Sequence, residues 1–134
     1  MKRKKKLLFV CTGNTCRSPM AAALWRQMGG EAESAGLFAR TGEPASVNAV
    51  WAMDDLGLDL TGHTARRVTE EMIREADAVM CMSANHARTL TERFPQEKEK
   101  IFVLPLEIPD PFGEDEEAYR ACAERLRDAL RMLL

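Results

Sequence analysis

The chain has 134 residues, 46% of them hydrophobic, with 19 basic against 21 acidic side chains and a formal net charge of -2. That size and apolar content suit one globular domain, residues 1–134, and exclude a disordered chain. The near-balanced charge gives no basis for a nucleic-acid partner, and no apolar run is long enough to cross a bilayer, so no membrane partner is expected.

The basic start, Met1-Lys2-Arg3-Lys4-Lys5-Lys6, resembles the charged end of a signal peptide. The apolar stretch behind it breaks at Thr12-Gly13-Asn14 with no cleavage site, so a cytoplasmic protein is expected. The cluster reads as a solvated lead-in to a strand, with docking to an acidic surface as the alternative. Leu7-Leu8-Phe9-Val10 is a continuous apolar run that suits a strand buried on both faces. Ser18 to Met28 has good helix formers, Pro19 in the first turn and Gly29-Gly30 as a stop. Glu33-Ser34-Ala35 suits a short second strand.

Ser46 to Leu56 is amphipathic, with Val47, Val50, Trp51 and Met53 expected inward. Thr69 can cap a short helix carrying Met72, Ile73 and Ala76. Ala78 to Met82 reads as a third strand, Ser83 as the cap of a helix ending before Pro95, and Ile101 to Leu104 as a fourth strand. From Glu116 onward a helix presents Tyr119, Cys122, Leu126, Ala129, Leu130 and Leu133 on one face. The acidic run Glu114 to Glu117 suits the start of that helix. Alternating strands and helices imply an α/β sandwich around a parallel sheet, with ligands beyond the carboxyl ends of its strands.

One segment carries chemistry. Cys11-Thr12-Gly13-Asn14-Thr15-Cys16-Arg17-Ser18 lies between a predicted strand and a predicted helix, the context an anion-binding loop requires. The amides of residues 12 to 17 can turn inward around one oxyanion, and Gly13 and Asn14 tolerate the positive φ that such a nest needs. Arg17 offers a planar fork to two phosphate oxygens. The same positive field favours the Cys11 thiolate, and Ser18 can donate to that sulfur. Asp110, in Pro109-Asp110-Pro111-Phe112 after the fourth strand, is the candidate acid and base for a departing group and an attacking water.

The loop, the following Ser18-Pro19-Met20-Ala21, the Ser34-Ala35-Gly36 turn and Asp110-Pro111 resemble the low-molecular-weight protein tyrosine phosphatase family. The resemblance spans essentially the whole chain. It implies a three-layer sandwich with a four-stranded parallel sheet and a two-step mechanism without metal or organic cofactor. It makes Cys11 the nucleophile, Arg17 the phosphate clamp, Asn14 the residue that shapes the loop, Ser18 the thiolate partner and Asp110 the acid and base. It also implies phosphorylated protein substrates, and a monomer is expected.

Thr15 stands where tyrosine-specific members carry a bulky aliphatic residue, which resembles the bacterial protein-arginine phosphatase branch. An aliphatic side chain would pack on a phenyl ring and crowd a planar guanidinium, whereas a hydroxyl can position polar groups. Asp110 could also accept from the guanidinium, with Phe112 as a pocket wall and Phe38 at its mouth. Phosphotyrosine remains the alternative substrate. An arsenate reductase would need a cysteine relay, but position 88 is Arg88 and no partner follows Cys81. A phosphoprotein-binding module without turnover is the non-enzymatic reading.

Cys16 can form a reversible disulfide with Cys11 that switches the enzyme off, or simply fill space under the loop. Cys81 and Cys122 fall at core positions, as do Trp25, Trp51 and most methionines. No zinc-ligand spacing is present. His63 and His86 are read as surface or loop residues, although Ser34 and His63 match turns that brace the loop in the resembling family.

Overall fold

The computed structural model describes residues 5–134. Most of the basic start, Met1 to Lys4, lies outside the described residues, and its expected role with it. The first strand, β1 (Lys6–Cys11), sits inside a four-stranded sheet with β2 (Glu31–Gly36), β3 (Ala78–Cys81) and β4 (Ile101–Val103). The strand order is β2-β1-β3-β4 and every pairing is parallel. Among the described residues there are five α-helices: α1 (Arg17–Gln27), α2 (Val47–Asp54), α3 (Glu70–Glu75), α4 (Ala84–Arg93) and α5 (Glu116–Arg131). A 3-10 segment, Pro95–Lys100, precedes β4 and was not foreseen.

Alternation along β1 divides the interior. Leu7, Phe9 and Cys11 pack with α1, α2 and α5, while Leu8 and Val10 pack with Ile73 of α3 and Leu90 of α4. β3 repeats the pattern, with Ala78 and Met80 facing one way and Val79 and Cys81 the other. The expected three-layer sandwich is therefore present, with β1 and β3 covered on both faces. β4 is an edge strand, and its Phe102 and Val103 are exposed.

The helix starts follow the sequence signals. Ser46, Thr69, Ser83 and Asp115 each accept an amide three residues on, at 3.1–3.3 Å. The α5 face from Tyr119 to Leu130 is buried as expected, with Leu133 half-buried. The α2 face is only partly as expected: Met53 is buried and Val50 packs against the core, but Val47 is 63% and Trp51 52% exposed, and Ala49 and Ala52 point inward instead. The reason lies at the helix start. The Ser46 amide donates to the Thr15 carbonyl (2.9 Å) and its hydroxyl meets Cys16, which fixes the rotation of α2. Two alanines then allow a close approach to α5. Among the described residues, no helix is long and apolar enough to cross a membrane.

Candidate active site

The loop from Cys11 to Arg17 bridges the carboxyl end of β1 and the amino end of α1. Asn14 takes φ 57°, the left-handed conformation that asparagine tolerates and most residues resist. Its side chain accounts for the rest of the turn. Nδ2 donates to Ser18 Oγ (2.8 Å) and Ser34 Oγ (2.9 Å), while Oδ1 accepts the Arg66 amide (3.0 Å). His63 Nε2 lies 2.7 Å from the Asn14 carbonyl. The bracing expected of Ser34 and His63 is thus present.

Ser18 Oγ lies 2.9 Å from Cys11 Sγ. That hydroxyl accepts from Asn14, and its single proton has two acceptors in reach, the Cys11 sulfur and the more distant Ala35 carbonyl at 3.5 Å. Gly36 supports the loop from β2: the Leu37 and Phe38 amides donate to the Cys11 and Thr12 carbonyls (3.0 and 2.9 Å). A Cβ at Gly36 would stand 2.7 Å from the Thr12 carbonyl oxygen, so only glycine fits.

Arg17 is buried at the floor. One terminal nitrogen donates to the Ile108 carbonyl (3.0 Å) and the other lies 3.5 Å from Asp110 Oδ2. The Asp110 side chain is half-exposed, and its other oxygen accepts the Phe112 amide (3.1 Å). Asp110 therefore stands on the same side of the sheet as the loop. Cys11, Thr12, Gly13, Thr15, Cys16, Arg17, Asp110 and Phe112 share the wall of one pocket of about 470 Å³ with Phe38. Asn14 and Ser18 are fully buried behind it. Every sequence-predicted site residue is thus either in the pocket wall or directly behind it.

Cys16 is a free thiol, as is Cys11. Its sulfur lies 3.3 Å from the Tyr119 hydroxyl and donates to Ser46 Oγ at 3.4 Å. Burial and the Cys16 contact push the Tyr119 hydroxyl up to about 12, so it stays protonated. Burial likewise raises Cys81 and Cys122 to about 12, which makes both inert thiols. The expectation of a surface or loop His86 is wrong. It is 8% exposed and bonds Thr12 Oγ1 (2.8 Å) and Ser83 Oγ (2.7 Å), because β3 pairs beside β1 and delivers the α4 start to the loop.

Tyr119, Arg66, and the pocket-wall pair Arg40 and Glu43 also escaped sequence reasoning. For Tyr119 a signal existed, since a tyrosine on an otherwise apolar face must bury its hydroxyl against a partner. Among the described residues, no group of three or more His, Cys, Asp or Glu is placed to hold a metal.

A buried arginine, a pocket-lining loop braced from several elements and a cysteine at a strand-to-helix junction define a phosphatase of the cysteine-loop class. Residues 6–134 match the family described as low molecular weight phosphotyrosine protein phosphatase, and the chain belongs to that family. It is 41% identical to a protein-arginine-phosphatase of Geobacillus stearothermophilus, covering 96% of this chain and 93% of the relative. It is 36% identical to a probable low molecular weight protein-tyrosine-phosphatase, EpsP, of Ralstonia solanacearum, covering 96% and 88%. It is also similar to the solved structure of a YwlE arginine phosphatase mutant with a phosphorylated active-site serine in place of cysteine. There the TM-score is 0.92 at 33% identity, covering 96% of this chain and 92% of that one.

Proposed function

We propose that the chain hydrolyses phosphoarginine on proteins through a cysteinyl-phosphate intermediate. The Cys11 thiolate attacks phosphorus, and the bond to the guanidino nitrogen breaks as Asp110 delivers its proton to that nitrogen. Arg17 and the loop amides hold the equatorial oxygens throughout. Water then attacks the phosphocysteine, Asp110 takes its proton, and the thiolate leaves with the help of Ser18. No metal enters either step.

The observation that carries the choice of substrate is Thr15 in the wall of the pocket that Cys11, Asp110 and Phe112 also line. Its hydroxyl suits a polar, planar leaving group, and Asp110 can accept from the same guanidinium. Phosphotyrosine is the second reading, favoured by the family description and by the 36% identical relative. The two are separated by kcat/KM on phosphoarginine and phosphotyrosine for the wild type and Thr15→Ile. The expected result is a shift of that ratio toward phosphotyrosine by roughly 10- to 100-fold. An unchanged ratio removes Thr15 as the selector. Cys11→Ser is expected to release no phosphate; a pure binding module would release none even as wild type.

A reductase relay finds no support, since Cys81 and Cys122 are held protonated in the core. We also propose that oxidation is reversible through Cys16. Peroxide would oxidise the Cys11 thiolate to a sulfenic acid, which condenses with the Cys16 thiol to a disulfide and water, with Cys16 leaving Ser46 and Tyr119 to do so. Peroxide should then inactivate and thiol restore; equal recovery by Cys16→Ser would remove that role. Four free thiols suit a reducing compartment such as the cytoplasm.

A further inference from the structure

Thr12 follows the reactive sulfur directly and is an exposed residue of the pocket wall. Its hydroxyl is nevertheless fastened from behind. His86 Nε2 lies 2.8 Å from Thr12 Oγ1, and His86 Nδ1 lies 2.7 Å from Ser83 Oγ. Ser83 in turn accepts the His86 amide at 3.2 Å as the cap of α4. These bonds join the start of α4 to the first residue after Cys11, across 74 positions of sequence.

Counting protons leaves the chain two possible directions. A serine hydroxyl has one proton and two lone pairs, and a neutral imidazole has one N–H. In one order, with the His86 amide on one lone pair of Ser83, the Ser83 proton goes to Nδ1. The imidazole proton then sits on Nε2 and donates to Thr12 Oγ1, which leaves the Thr12 proton for the pocket. In the reverse order Thr12 would donate to Nε2 and turn a lone pair toward the bound anion. An anion in the loop therefore selects the first order, in which every dipole points its positive end at the charge. Burial and the nearby Arg17 guanidinium hold His86 below its ordinary value, with Asp110 opposing, so the ring is neutral near pH 7.

We propose that Ser83 and His86 are positioning residues that turn the Thr12 hydroxyl into an additional, pre-oriented donor to the anion held by the loop. This rests on reading the loop as the phosphate site. A donor fixed in advance stabilises developing charge without reorganising during the reaction.

The test measures kcat and KM on a generic aryl phosphate, together with competitive inhibition by inorganic phosphate and the melting temperature. The variants are Thr12→Val, Thr12→Ser, His86→Leu, His86→Gln and the Thr12→Val, His86→Leu double. Thr12→Val and His86→Leu are each expected to lower kcat/KM by about tenfold or more and to weaken phosphate inhibition. The double should be no worse than the poorer single, since both remove one donor. Thr12→Ser should keep most activity, and His86→Gln should recover much of it by donating from its amide. If His86→Leu does not fold, His86→Asn, too short to reach Thr12, takes its place in the cycle. Losses that multiply in the double, or full activity in His86→Leu or His86→Asn, would overturn the relay. A wild type that neither turns over aryl phosphate nor binds phosphate would instead remove the phosphatase reading beneath it.

Discussion

Gly36 carries no reactive group, yet it sets how close β2 can approach the loop. An added Cβ would stand 2.7 Å from the Thr12 carbonyl oxygen and 3.0 Å from the Asn14 amide, both backbone atoms. Neither can yield unless the loop shifts. Gly36→Ala is therefore expected to lower kcat/KM by at least tenfold, since a displacement of about 1 Å can cost more than that. It should also lower the melting temperature. Gly62→Ala is the control: nothing lies within 4 Å of its Cβ position, and it should stay within about 0.5 kcal/mol of wild type. Asn14 belongs to the same scale. Its left-handed turn was legible from the residue type, but its three side-chain bonds, to Ser18, Ser34 and Arg66, were not. The last two partners lie 20 and 52 positions away, beyond anything local spacing can reveal.

At the scale of elements, α2 tests the argument about helix rotation. With Met53 buried and Trp51 in solvent, Met53→Ala should cost about 2–5 kcal/mol while Trp51→Gln stays near neutral. The inward face first read from the sequence demands a large loss at Trp51. Urea unfolding midpoints decide between them. Asp115→Ala should cost about 1 kcal/mol through loss of the α5 cap, with kcat unchanged.

The strands, the α5 face and the four capping residues were legible because each follows from a short pattern in the chain. The face of α2 was legible only at Val50 and Met53, because Val47 and Trp51 are at least as apolar as Ala49 and Ala52, which take the inward positions. The tether of Ser46 to the loop settled the choice, and that is a tertiary contact. His86 was missed for a related reason. A serine three residues before a histidine after a strand looks like an ordinary cap until β1 and β3 are known to be neighbours.

For the whole molecule, the buried histidines set a pH dependence of stability. His63 and His86 both sit below their ordinary value near 6.5, chiefly because burial disfavours the charged form. The unfolded chain therefore binds protons more readily than the fold. Their contribution is fully present above about 6.5 and is lost as pH falls through the lower folded-state values. The buried thiols act at the other end. Cys81 and Cys122 are raised from 9.0 to about 12, so their contribution is full below 9 and fades as pH climbs toward 12. Denaturant midpoints should accordingly form a plateau between these limits and fall on the acid side. A midpoint that rises from pH 7 to pH 5 would contradict the histidine assignment.

The anchoring of the loop has a consequence for how this enzyme fails. Contacts from β2, α2, α4, α5 and the turn at His63 converge on the backbone and side chains of one short segment. No single flank can melt and leave the remainder competent, and the catalytic centre cannot loosen while its surroundings stay intact. Turnover should thus report the folded fraction directly. Along a urea series, the decline of activity and the decline of ellipticity should superimpose, with no inactive yet structured intermediate between them.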